Sequence, residues 1–294
     1  MVLSRFFLGL VALPLGAALA LAQAPSSPPS LPAASAAPAP AGAEKVAVQL
    51  SAVFAGDQRP VRSGLVWRVY EEKLDGSQPV LVEKSTVAAP NLSLKPGNYI
   101  VHAAYGFAGA SRRIAAQTGP VVERLTISAG ALKVGGAIGD NPITANRLAV
   151  SVYVPIGSNS EGRLVVGNVR GGEIVRLPEG TYHVVSTYGE SNAIMRADLA
   201  VEAGRVTEAT LNHRAATVTL KLVASAGGEA FAGTAFSVLT PGGDVIREAI
   251  GAFPSVTLAE GDYVLIARHE GQVHTREFKV ESGLDRDVEV LPKN

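Results

Sequence analysis

Cysteine is absent from the 294-residue chain. That excludes a disulfide framework, a thiolate zinc site, an iron–sulfur cluster, a cysteine nucleophile and a cysteine-borne lipid anchor. Net charge is absent too, with 26 Lys+Arg against 26 Asp+Glu. General nucleic-acid binding, which runs on excess positive charge, is therefore not expected. Aromatic residues make up only 5% of the chain, so an aromatic binding face is hard to assemble. Long apolar runs are missing after residue 22, and helical periodicity is hard to find there.

What is present begins with an address. Arg5 precedes the apolar run Phe6 to Ala22, which ends Ala20-Leu21-Ala22. One positive charge, a short apolar stretch and small residues are the pattern of a Sec-type signal peptide, residues 1–22, cut after Ala22. A cut after Ala24 and retention as an uncleaved anchor are the alternatives. Cleavage leaves no membrane span. Residues 23–43 are nineteen parts in 21 Ala, Pro, Ser or Gly and carry no charge. Such a segment cannot form a core and reads as a disordered linker, or as a Pro-rich ligand for a partner. Residues 44–294 then hold all charges but Arg5, at a net of −1.

The remainder repeats. Leu94-Lys95-Pro96-Gly97-Asn98-Tyr99-Ile100-Val101 recurs as Leu177-Pro178-Glu179-Gly180-Thr181-Tyr182-His183-Val184 and as Leu258-Ala259-Glu260-Gly261-Asp262-Tyr263-Val264-Leu265. The glycines are 83 and 81 residues apart. Upstream, Gly64 to Tyr70 aligns with Arg147 to Tyr153 and Gly233 to Leu239. Trp67, Val150 and Phe236 take one apolar position, with Trp67 and Phe236 expected at core centres. Downstream come Tyr105, Tyr188 and His269, then Arg112, Arg196 and Arg276, then Gly119, Gly204 and Gly283. The units are 44–129, 130–214 and 215–294.

The motif predicts a tight turn followed by a strand. Tyr99, Val101 and Ala103 fall on one face, with Ile100, His102 and Ala104 on the other. Many such short strands between Gly/Pro turns predict an all-β chain of three tandem antiparallel β-sandwich modules. A strand, Leu-x-x-Gly-x-Tyr-x-Val and a hairpin closing on Gly resemble the bacterial transthyretin-like modules. That group includes carboxypeptidase regulatory-like domains and collagen-adhesin B-type repeats. The resemblance implies seven-stranded sandwiches with a structural, spacer or ligand-presenting role. Some adhesin repeats carry a Lys–Asn isopeptide, for which Lys133 and Asn212 would be the candidates. Alternation places Lys133 and Lys221 on the solvent face, against that chemistry.

Catalytic patterns are few. His269-Glu270-Gly271-Gln272-Val273-His274 is one residue too long for a zinc-protease helix and contains a glycine. His269 and His274 remain weak metal candidates across a hairpin, although His269 fills the tyrosine slot. Gly-x-Ser-x-Gly and Ser-x-x-Lys do not occur. Tyr99, Tyr182 and Tyr263 are expected to pack at a corner and cap backbone. Tyr105, Phe107 and Tyr188 are the candidate ligand-facing aromatics.

These features predict a secreted or periplasmic, non-enzymatic structural or binding protein of the bacterial envelope, with no cofactor. Its partner would be an envelope protein or polysaccharide. The rival expectations are a carbohydrate- or peptide-binding accessory module and a hydrolase with an unrecognised site.

Overall fold

Period-two burial in strands such as Val46–Phe54, Leu65–Glu71 and Gly261–His269 dictates paired sheets with one dry face each. The computed structural model describes residues 44–292. The expected signal peptide and the linker lie outside the described residues.

Three modules follow one plan. Module 1 comprises β1 (Val46–Phe54), β2 (Leu65–Glu71), β3 (Val80–Ser85), β4 (Asn91–Leu94), β5 (Gly97–Tyr105), β6 (Ala108–Ala116) and β7 (Val121–Ile127). Its sheets run β4-β1-β7 and β3-β2-β5-β6. Module 2 comprises β8 (Ala129–Ile138), β9 (Asn141–Pro142), β10 (Leu148–Ile156), β11 (Asn159–Arg170), β12 (Ile174–Pro178), β13 (Gly180–Tyr188), β14 (Ile194–Val201) and β15 (Val206–Asn212). Its sheets run β12-β8-β15 and β11-β10-β13-β14, with the two-residue β9 added beside β8. Module 3 comprises β16 (Ala215–Leu222), β17 (Thr234–Leu239), β18 (Val245–Gly251), β19 (Ser255–Ala259), β20 (Gly261–His269), β21 (Gln272–Val280) and β22 (Arg286–Val290). Its sheets run β19-β16-β22 and β18-β17-β20-β21.

One pair in each module departs from the antiparallel expectation. β1 and β7, β8 and β15, and β16 and β22 run parallel. The chain leaves the larger sheet after its last hairpin and re-enters the smaller one beside the first strand, in the same direction. Such pairs require a crossover, and here the whole body of the sandwich provides it.

Each sandwich closes on its own core. Trp67, Leu50, Leu65 and Ile127 are completely buried in module 1, and Phe236, Leu220, Leu258 and Leu265 in module 3. Module 2 has Val150 and Val152 where the others place Trp67/Val69 and Phe236/Val238. Truncating a core aromatic such as Trp67 to alanine costs about 3–5 kcal/mol.

The corner tyrosines behave alike. Tyr99, Tyr182 and Tyr263 are buried, and each hydroxyl donates to the carbonyl four residues earlier: Lys95 at 2.7 Å, Pro178 at 2.9 Å and Ala259 at 2.9 Å. Burial holds all three phenols above their ordinary pKa.

Modules follow one another almost without a linker. Only Ser128 separates β7 from β8, and only His213-Arg214 separates β15 from β16. Ala129 packs into the core of module 1 and Ala215 into that of module 2. Among the described residues, no helix is long and apolar enough to cross a membrane.

Candidate functional site: the module seams and their grooves

The residues aligned at the ends of the repeats converge on two equivalent seams. At the first, the β5–β6 hairpin of module 1 meets β12 of module 2. Phe107 N–H donates to the Arg176 carbonyl at 3.0 Å. Glu179 N–H donates to the Ser128 carbonyl, and the Ser128 hydroxyl donates to the Glu179 carboxylate at 2.6 Å. The Arg59 guanidinium donates to the Gly204 carbonyl.

The second seam repeats the bond from the corner glutamate to the inter-module residue. Glu260 N–H donates to the Arg214 carbonyl at 2.9 Å, and Arg214 forks onto the Glu260 carboxylate at 2.9 and 2.8 Å. Two residues are added to the hairpin here. Glu190 reaches Arg247 at 2.6 Å. Asn192 donates to the Tyr263 hydroxyl at 2.8 Å and accepts from Ala259 N–H at 3.0 Å.

Glycine is required at the hinge of both contacts. Gly106 has φ +62° and Gly189 φ +72°. A Cβ at Gly106 would lie 2.5 Å from the Arg176 Cβ and 2.7 Å from its carbonyl oxygen. At Gly189 it would lie 2.7 Å from the Thr257 Cβ. Module 3 has Glu270 at that position (φ +48°).

The aromatic candidates separate by place. Tyr105 is half-buried, edge-on to Phe54 at 5.5 Å and covered by the Arg176 guanidinium 5.2 Å from its centroid. Tyr188 is buried, which corrects the expectation that it faces a ligand. Arg147 covers it at 4.8 Å and His213 packs edge-on at 6.1 Å. Phe107, 53% exposed, does reach solvent. It lines a groove of about 390 Å³ with Val166, Val169, Ile174 and Arg176.

The equivalent groove at the second seam holds about 540 Å³ and has different chemistry. The pairing registers align Val166 with Arg247, Ile174 with Ser255 and Arg176 with Thr257. Arg147, Arg170, Asn146, Asn168, Glu190 and Ser191 complete this polar groove. The repeat pattern did not mark it, because only Arg147 to Ala149 of its lining fall within the aligned segments and the rest lie in loops and strands outside them.

The histidines are not assembled into a metal centre. His269 and His274 occupy diagonal positions on one face, since His269 pairs with Gln272 and His274 with Ala267. The His269 ring stacks on Phe231 at 5.2 Å. Among the described residues, no three His, Asp or Glu side chains cluster as metal ligands.

Two other histidines are more deeply set. His183 bonds Asp198 at 2.7 Å. His213 is 2% exposed, bonded to the Ser186 hydroxyl at 2.9 Å, and its Nδ1 makes no well-directed hydrogen bond. Burial lowers its pKa, opposed by the Ala193 carbonyl. The isopeptide candidates are apart. Lys133 pairs with Glu208 across the parallel ladder, and Asn212 lies four residues further along, opposite Ala137.

The model of the Rhizobiales growth-associated tandem repeat domain matches residues 217–292, within module 3. No curated protein matches. Among solved structures, the Bacillus anthracis TIE protein is similar at 16% identity and a TM-score of 0.26, over 85% of this chain and 51% of that one. This chain therefore spans about half the length of that protein. BcpA, the major pilin subunit of Bacillus cereus, is similar at 11% identity and a TM-score of 0.25, over 85% of this chain and 100% of that one. A streptococcal ancillary pilin is similar at 14% identity and a TM-score of 0.27, over 84% and 99%.

Proposed function

We propose that the chain is an exported, non-enzymatic scaffold of the bacterial envelope, with residues 44–129, 130–214 and 215–294 as transthyretin-like folding units joined in series. The observation that carries this is the seam. The hairpin of one module meets the fourth main strand of the next at both seams, each time with a left-handed glycine against it, through the Phe107 amide at the first and the Asn192 side chain at the second. That construction fixes distance and direction between modules and suits a spacer or presenting element. The apolar run behind Arg5 and the charge-free 23–43 segment support export and a tethering spacer. The tandem repeat domain whose model matches 217–292 is a growth-associated one, which fits work in an expanding envelope.

The test is cell fractionation of the full chain carrying a C-terminal tag, with N-terminal sequencing. Recovery outside the cytoplasm with Gln23 at the N-terminus is the expected result. Cytoplasmic recovery starting at Met1 would overturn the export half of the proposal.

A further inference from the structure

The two seam grooves make a built-in comparison. They occupy equivalent positions, yet the first is lined by Phe107, Val166 and Ile174 and the second by Glu190, Arg247 and Ser255. Three arginines and one glutamate line the second groove, and the Glu173 carboxylate stands beside it, accepting from the Arg170 backbone N–H at 3.3 Å, a local charge of +1 in a chain whose net charge is zero. The Glu190 carboxylate is engaged by Arg247. Among the described residues, neither Arg147 nor Arg170 has a carboxylate partner within salt-bridge distance. Arg147 spends one nitrogen, Nη2, on the hydroxyls of Thr217 and Thr257, both at 2.9 Å. The rest of its guanidinium fork and the whole of that of Arg170 are left for a ligand.

We propose that this groove binds an acidic glycan, with sugar carboxylates on Arg170 and Arg147. A planar guanidinium fork matches a carboxylate in two parallel hydrogen bonds. Asn146, Asn168, Ser191 and Ser255 supply the amide and hydroxyl groups that sugar hydroxyls need. The groove offers no large apolar pocket for peptide side chains, no aromatic lines it, and Tyr188 is sealed under Arg147. Its volume falls in the range of small-ligand sites. The site goes beyond the scaffold role and does not depend on export.

The experiment is a calorimetric titration of the full chain with trigalacturonate, at low and high salt, beside neutral maltotriose and a glutamate trimer. Saturable binding of trigalacturonate alone, weakened by salt, is expected. Arg170→Ala, an exposed change that leaves the seam contacts intact, weakens it roughly tenfold, the scale of one charge-assisted contact. Val166→Ala in the first groove leaves it unchanged. Absence of saturable binding, equal binding by Arg170→Ala, or equal binding of the glutamate trimer would each overturn the proposal.

Discussion

Arg176 and Arg147 make the same contact from opposite sides of two equivalent seams. Arg176 reaches back from module 2 to cover Tyr105 of module 1, where the aligned position 64 is a glycine (φ +79°). Arg147 stands at that aligned position in module 2. It covers Tyr188 of its own module while Thr257 replaces the reaching arginine. A Cβ at Gly64 would lie 3.1 Å from the Arg176 guanidinium. One guanidinium fills each seam, and the side supplying it has switched.

The arginine contacts should differ in strength. Arg176→Ala removes a cation–π contact and should destabilise the first seam by about 1 kcal/mol. Arg147→Ala also removes two hydrogen bonds to threonine hydroxyls, leaving them only their weak 3.4 Å contact with each other, and should cost about 2 kcal/mol at the second. Urea denaturation followed by NMR, reading modules 1 and 3 separately, checks the order. Equal or absent effects would contradict it.

The seam glycines should be less replaceable than a turn glycine with the same backbone. Gly271 has φ +78° and nothing within 4 Å of a built Cβ, so Gly271→Ala should cost only the left-handed conformation, about 1–2 kcal/mol. Gly106→Ala and Gly189→Ala add a collision with the next module. They should either exceed that cost or uncouple the modules into separate unfolding transitions. Calorimetric scans of the three variants decide it.

Tyr182→Phe deletes one hydroxyl and leaves the ring. Loss of the bond to the Pro178 carbonyl should cost about 1 kcal/mol, with the other module cores unaffected. Tyr182→Ala should cost about 3–5 kcal/mol through the cavity it leaves. Chemical denaturation midpoints separate the two.

Acid should loosen module 2. Burial holds the His213 pKa below its ordinary value of 6.5. The unfolded chain therefore takes up a proton near pH 6.5 that the folded chain refuses. The stability due to this group is complete above that pH and falls as pH drops below it. Arg214, Glu260 and Lys279 line the cleft beside it. The registers place Ile127 and Ala103 of module 1 where module 2 has His213 and Ser186. The double variant His213→Ile/Ser186→Ala should flatten the slope of module 2 stability against pH between 7 and 5. An unchanged slope would contradict the assignment.

What could be read from the sequence was whatever is local. The corner tyrosines were legible because hydroxyl and acceptor lie four residues apart within one motif. Trp67 and Phe236 were legible as core centres because strand alternation places them. Alignment failed where loop length changed. Arg112 and Arg276 oppose Val101 and Leu265, but the two residues added to the module 2 hairpin set Ala197, not Arg196, opposite Val184. The parallel β1·β7 pairing could not be read, because alternation carries no strand direction. Tyr188 looked ligand-facing because its covers, Arg147 and His213, lie 41 and 25 residues away in sequence.

Docked seams are the central claim, and the Phe107 amide tests them most directly. Its N–H sits at a hairpin tip, and its partner is the Arg176 carbonyl of the next module at 3.0 Å. Amide hydrogen exchange of the full chain should show Phe107 protected and Gly106→Ala should abolish that protection, with the interior amides of β13 unchanged. An unprotected Phe107 amide in the unmodified chain would mean that the modules are strung loosely, and would contradict the account.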